Sequence, residues 1–221
     1  MRRNVMVFSG GAYPGIEIYF ALRDSLLFKP ILASSYSDHS SFVCPDYLEG
    51  LPFTNDPDFA EKLNRIIDEH NIEFILPTHD TIALTLMENA DKLHAAPVCS
   101  CLETAKLCRR KSLCYEKLNG TDLAPKTYSS PEEVPSEDFP VFVKPDEGQG
   151  TVGAKKADNY EALKAIYAET KEPVICQFLP GEEFTVDCFT NAKGELVYTN
   201  PRSRSRVQYG ISARAVSVKD S

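Results

Sequence analysis

The first hundred residues alternate short apolar runs with stretches whose apolar positions recur three and four apart. Asn4–Phe8 predicts a buried strand, closed by the glycine-rich turn Ser9–Pro14. Gly15–Ser25 follows as a helix, with Ile16, Tyr19, Phe20 and Leu26 near one face. Pro30–Ser34 is a second short strand. Asp56-Pro57 has the form of an N-cap followed by proline at the first helical position, where a missing N–H costs nothing. From there Phe59, Leu63, Ile66, Ile67 and His70 share one helical stripe. Glu73–Leu76 is a third strand, Ile82, Leu86, Ala90 and Leu93 mark the next helical face, and Ala96–Val98 is a fourth strand. Strands joined through helices predict βαβ units, because parallel neighbours need a crossover, and hence an open parallel sheet.

Beyond residue 100 the pattern changes. Leu102–Leu118 is helical by spacing and carries Lys106, Arg109, Arg110, Lys111 and Lys117. Ser129–Asp138 is a proline- and acid-rich connector, and Val141–Pro145 a strand that opens into the loop Asp146–Gly153. Asp158 and Glu161 have capping-box spacing for a helix running to about Thr170. Val174–Leu179 is a strand, and Glu183–Thr190 with Glu195–Thr199 is a hairpin turning at Asn191–Gly194. The expected fold class is α/β, an open parallel-sheet domain over residues 1–100 followed by an α+β domain over residues 101–221.

Composition narrows the function classes. The 221 residues are 43% hydrophobic and 25% charged, a globular profile. With 24 Lys+Arg against 32 Asp+Glu the formal charge is −8, which argues against a nucleic-acid partner. The last 21 residues reverse that sign, with Arg202, Arg204, Arg206, Arg214 and Lys219 against Asp220 alone. Such a stretch reads as a phosphate clamp, a solvated tail or a nucleic-acid arm. No apolar run approaches the roughly 18–20 residues of a membrane span. Met1-Arg2-Arg3 resembles a signal n-region, but the apolar stretch stops at Ser9-Gly10-Gly11, so a cytoplasmic protein without a membrane partner is expected. The seven cysteines are odd in number and match no zinc template; reduced thiols and no metal site are expected.

Three segments could carry chemistry. Gly10-x-Ala12-x-x-Gly15 has dinucleotide-loop spacing, but no acid follows before Asp38, so a NAD-dependent dehydrogenase competes with a tight βα turn that binds nothing. Lys144 ends a strand before Gly148-Gln149-Gly150-Thr151-Val152-Gly153, which sets a cation beside a run of unobstructed backbone N–H groups suited to phosphate oxygens. Gln177-Phe178-Leu179-Pro180-Gly181 joins two strands and offers backbone donors and acceptors beside an apolar wall, as an adenine ring requires. Of the histidines, His79 in the loop after a strand is the one at a ligand-facing position.

Together these motifs resemble the ATP-grasp superfamily, of the carbamoyl-phosphate synthase large-subunit type, over nearly the whole chain. The Gly10–Gly15 turn, Asp56-Pro57-Asp58 and Pro77-Thr78-His79-Asp80 are similar to the pre-ATP-grasp domain. Arg110-Lys111-x3-Tyr115-Glu116-x-Leu118 and Pro125-Lys126-Thr127-Tyr128 are similar to the entry into the grasp fold. The resemblance implies a lid over about residues 127–178 and then the beginning of the C-terminal grasp subdomain. It implies Lys111 and Lys144 as phosphate-contacting lysines, and Gly148, Gly150, Thr151 and Gly153 as the phosphate loop. Gln177, Phe178 and Leu179 become the adenine hinge, Glu183 the ribose carboxylate, and Arg202 and Arg204 the catalytic arginines of the segment before Gly210-Ile211-Ser212. Arg110 stands where an acid usually precedes the lysine, and Gln177 where glutamate is usual.

The implied activity is an ATP-dependent ligase that turns a carboxylate or bicarbonate into an acyl-phosphate for attack by an amine or ammonia. ATP and Mg²⁺ are its cofactors, with the magnesium ligands expected beyond Ser221 and the chain expected to be truncated before them. The alternative is a non-catalytic nucleotide-binding module, or a subunit completed by a separate chain. Small carboxylate and amine substrates, and a homodimer or a complementing C-terminal chain, are the expected partners.

Overall fold

The computed structural model describes residues 1–148, 151–208 and 211–218. The chain divides into two compact units, Met1–Arg109 and Arg110–Ser221.

In the first unit β1 (Arg3–Phe8), β2 (Phe28–Ala33), β3 (Ile72–Pro77) and β4 (Ala96–Pro97) form a parallel sheet in the order β2-β1-β3-β4. Helices α1 (Tyr13–Leu22), α2 (Phe59–Glu69), α3 (Asp80–Glu88) and α4 (Leu102–Arg109) complete it. Strand alternation feeds two cores. Met6 and Phe8 join Phe59, Leu63, Ile67, Ile82 and Leu86, whereas Val7 and Leu32 pack with Cys44, Ile18 and Tyr19. Both faces of the sheet are therefore covered, as a parallel sheet requires.

Local details depart from the sequence expectations. The helical face of α1 is Ile18 and Tyr19; Phe20 is exposed, and Leu26 lies beyond the helix end at Leu22 and is 91% exposed. Helix α2 starts at Phe59, not at Pro57, because the Asp56 carboxylate accepts the Asp58 N–H (2.9 Å) and binds Lys62 (2.7 Å), building a turn before the helix. The expected single helix Leu102–Leu118 is broken at Arg110, whose backbone is extended (φ −116°, ψ 118°), so α4 ends and α5 (Lys111–Lys117) begins.

In the second unit β5 (Thr127–Tyr128), β6 (Val141–Pro145), β7 (Lys155–Ala157) and β8 (Pro173–Gln177) form an antiparallel sheet ordered β5-β8-β6-β7. Helix α6 (Tyr160–Glu169) covers one face and buries Leu163 against Val141, Val143 and Ile175. Its cap is Asn159, whose side chain accepts the Ala162 N–H (2.9 Å), in place of the expected Asp158–Glu161 box. A second sheet, β11-β10-β9, contains the expected hairpin of β9 (Phe184–Thr190) and β10 (Leu196–Gln208), extended by β11 (Ile211–Ser217). No helix among the described residues is long and apolar enough to cross a membrane.

Candidate functional site

Strands β6 and β8 pair with Val141 opposite Gln177 and Lys144 opposite Val174. Their buried residues Val141, Val143 and Ile175 face α6. Phe142 and Lys144 face the other way, into a cleft of about 580 Å³ that Gln177, Phe178, Leu179 and Glu183 also line. The three-residue offset places Lys144 and Gln177 roughly 10 Å apart along the sheet, the span between a nucleoside base and its phosphates. The volume falls in the range of small-molecule sites, and the tilted pair Phe142–Phe178 (centroids 6.4 Å apart) supplies flat apolar wall.

Lys144 is the cation of this cleft. Its ammonium donates to the Tyr115 hydroxyl (2.9 Å) and lies 5.5 Å from the Phe142 and Tyr115 ring centroids. Burial pulls its pKa down, but the bond to Tyr115 and the neighbouring Cys176 sulfur outweigh that, so the group lies above the ordinary lysine value. Burial pushes the Cys176 thiol up. Lys144 has no carboxylate partner among the described residues, which suits it to an anionic ligand.

Lys111 opens α5, and its ammonium donates to the carbonyls of Asp146 (3.1 Å) and Gly148 (3.4 Å), which sets it against the start of the glycine loop. In that loop Gly153 has φ +77°, and a Cβ there would meet the Pro145 Cγ at 2.9 Å, so only glycine fits. Thr151 also has positive φ (62°). At Gly148 a Cβ would find ordinary contacts, with Lys111 Nζ at 3.9 Å, so the local packing does not require glycine there. Gly150 and Gly210 lie outside the described residues.

Three residues to which the sequence reading gave no site role, Asp146, Ser112 and Arg110, hold these pieces together. Asp146 is 3% exposed and accepts the Ser112 N–H (2.7 Å), the Ser112 hydroxyl (2.9 Å) and Arg110 Nε (2.7 Å). Burial raises its pKa, but these donors outweigh burial and hold it below the ordinary carboxylate value. It thereby fastens the first turn of α5, with Lys111, to the end of β6, with Lys144. The unusual Arg110 was the available signal, because a cation in place of an acid calls for a carboxylate elsewhere.

Arg202 and Arg204 on β10 are already engaged. Arg202 grips Asp187 through two bonds (2.6 and 2.8 Å), which lowers the Asp187 pKa, and Arg204 pairs with Glu183. The expected ribose carboxylate and an expected catalytic arginine are therefore each other's partners. Among the described residues no group of three or more His, Cys, Asp or Glu side chains stands where it could hold a metal ion.

In the first unit the Gly10–Gly15 turn is closed by packing. A Cβ at Gly10 would fall 2.7 Å from Leu32 Cβ, and one at Gly15 would fall 2.6 Å from the Gly10 carbonyl oxygen. A Cβ at Gly11 would overlap the Asp38 carboxylate. The tight turn explains these glycines.

The chain thus has a parallel-sheet unit followed by an antiparallel sheet, a glycine loop and a cleft at the end of β8. Residues 108–209 match the family model for the ATP-grasp domain. Among solved structures, the L-amino acid ligase from Bacillus licheniformis aligns with TM-score 0.70 at 15% identity, over 100% of this chain and 55% of its own. Biotin carboxylase from Campylobacter jejuni, in a β-γ-ATP complex, aligns with TM-score 0.71 at 11% identity, over 96% and 53%. The biotin carboxylase domain of Hydrogenobacter thermophilus 2-oxoglutarate carboxylase, with MgADP and bicarbonate, gives TM-score 0.69 at 16% identity, over 96% and 52%. The chain spans about half the length of these structures, and the likeness is one of fold. No curated protein sequence matches the chain.

Proposed function

We propose that the β6–β8 cleft binds ATP, and that the chain is the nucleotide-binding part of an ATP-dependent ligase. Its reaction is activation of a carboxylate or bicarbonate as an acyl-phosphate that an amine or ammonia opens, as in the carbamoyl-phosphate synthase large subunit. The observation that carries this reading is the single cleft shared by Lys144, Gln177, Phe178, Leu179 and Glu183. Phe178 and Leu179 supply the base slot with their backbone, and Gln177 closes its end. Lys144 and Lys111 face the phosphates, and Gly148, Thr151 and Gly153 offer them backbone N–H groups.

The nucleophile comes from the substrate, so the chain contributes position and charge. Arg202 and Arg204 are held ready by Asp187 and Glu183, and an incoming anion competes with those carboxylates for them. The described residues do not assemble a donor set that fits Mg²⁺, and no step here is routed through a metal. The alternative, a nucleotide-binding module without chemistry or a subunit completed by a second chain, shares the same cleft and differs only in turnover.

Calorimetric titration with ATP, with and without Mg²⁺, tests the reading. Lys144→Ala removes the one cation that lines the cleft among the described residues and is expected to weaken ATP by about tenfold or more, the worth of a charge-assisted hydrogen bond. Unchanged affinity in Lys144→Ala, or no ATP binding by the unmodified chain, overturns the assignment.

A further inference from the structure

Lys144 is held by a partner that carries no charge. Its ammonium donates to the Tyr115 hydroxyl (2.9 Å) and lies 5.5 Å from the Tyr115 ring centroid. Arg202 and Arg204 are held differently, by the carboxylates of Asp187 and Glu183. The difference matters to an anion. A carboxylate that fixes a cation also cancels its charge, and a phosphate must displace it. A hydroxyl accepts one of the three ammonium protons and leaves the charge whole, with donors to spare for a ligand.

The placement of Tyr115 is built into the fold. Lys111 and Tyr115 stand four residues apart on α5 and share one helical face. Lys111 N–H donates to the Asp146 carbonyl (3.2 Å) just past β6, and Tyr115 meets Lys144 within β6. Four residues of helix rise about 6 Å and two residues of strand span about 6.6 Å, so the two contacts fall in step. Ser112, bonded to the Asp146 carboxylate, holds the helix in that register. The four-carbon stem of a lysine has many rotamers, and a head fixed before the ligand arrives loses less freedom on binding. The other titratable group against Lys144 is Cys176 on β8, and Glu182 and Glu183 line the same cleft.

We propose that Tyr115 is a positioning residue for the phosphate-binding cation: its hydroxyl holds the Lys144 ammonium in place for the ligand and keeps it charged without a counter-ion. The inference rests on the nucleotide reading of the cleft and assigns Tyr115 a part in it that acts through Lys144.

Tyr115→Phe keeps the ring and deletes the hydroxyl. ATP is titrated calorimetrically into the full chain, Tyr115→Phe, Lys144→Ala and the double variant. In parallel, acetylation of Lys144 by trace acetic anhydride at mildly alkaline pH is followed by mass spectrometry, normalised to the exposed Lys193. Tyr115→Phe is expected to weaken ATP by about threefold to tenfold, the worth of one hydrogen bond, and by under about twofold where Lys144 is already Ala. Only the neutral amine is acetylated, and an ammonium without its acceptor gives up its proton more readily, so Lys144 should react several-fold faster in Tyr115→Phe. Unchanged ATP affinity in Tyr115→Phe, an equal loss with and without Lys144, or unchanged acetylation overturns the proposal and leaves the nucleotide cleft standing. No ATP binding by the unmodified chain, or none of the expected loss in Lys144→Ala, overturns the nucleotide reading and this inference with it.

Discussion

The sharpest test of the second unit is removal of the Asp146 carboxylate. This buried group receives the Ser112 N–H and hydroxyl and the Arg110 guanidinium, so Asp146→Ala deletes three donors' partner at once. The Ser112 N–H bond caps the first turn of α5 and is worth about 1 kcal/mol. The hydroxyl bond adds about 1 kcal/mol. Arg110 is 45% exposed and regains water, so its share is small. The loss is then about 2 kcal/mol, which lowers a urea midpoint by about 0.7–2 M at a slope of about 1–3 kcal/mol per M. Asp146→Asn keeps an acceptor for Ser112 and should lose about half as much. The pH dependence has a fixed sign. The Asp146 pKa is lower folded than unfolded, so its contribution is complete above the unfolded value and disappears as pH falls through the folded one. The gap between wild type and Asp146→Ala should therefore be full at neutral pH and shrink below about pH 4. Urea unfolding by circular dichroism at several pH values reads the midpoint. Because the two units need not unfold together, hydrogen exchange in the α5 peptide reads the local effect. A difference under about 0.5 kcal/mol, or one that does not change with pH, would refute the account.

Two further outcomes follow from the same geometry. Gly153→Ala puts a Cβ where φ is +77° and Pro145 Cγ stands 2.9 Å away; it should cost about 1–3 kcal/mol in thermal unfolding and weaken ATP binding with it. Burial is the main cause that lowers the His79 pKa, with Asp80 opposing and Arg109 assisting. Its imidazole should titrate below the ordinary histidine range by NMR, and stability of the first unit should fall as pH drops through that range, since the unfolded chain binds the proton first; His79→Gln should flatten that slope.

Much of the fold was legible because it is local. The apolar run Val5–Phe8 and the stripe Phe59, Leu63, Ile67 named their elements, since a strand covered on both faces reads as a continuous apolar run and a helical period places its apolar side chains on one core. Element ends were less legible, because they depend on where a side chain finds a backbone donor. Asp56 spent its carboxylate on Asp58 and Lys62, and Asn159 took the cap assigned to Asp158. The break at Arg110 falls in the same class, since helical spacing runs through it and only the pairing with Asp146 gives its side chain a reason to turn away.

The chain's own order of residues determined that a lysine ends a strand before a glycine loop, that a proline–glycine bend follows the next apolar strand, and that an arginine segment comes later. Those are properties of neighbours along the backbone. Only the tertiary structure decided that Lys144 and Gln177 share one cleft, because antiparallel register between β6 and β8 brings together residues far apart in sequence. It alone decided that Asp146 is buried under three donors, that Arg202 and Arg204 meet Asp187 and Glu183, and that Asp38 sits on Gly11. Each is a long-range pairing of charges or surfaces, and the free energy of such a pair depends on distance and burial, which a linear pattern of residue types does not contain.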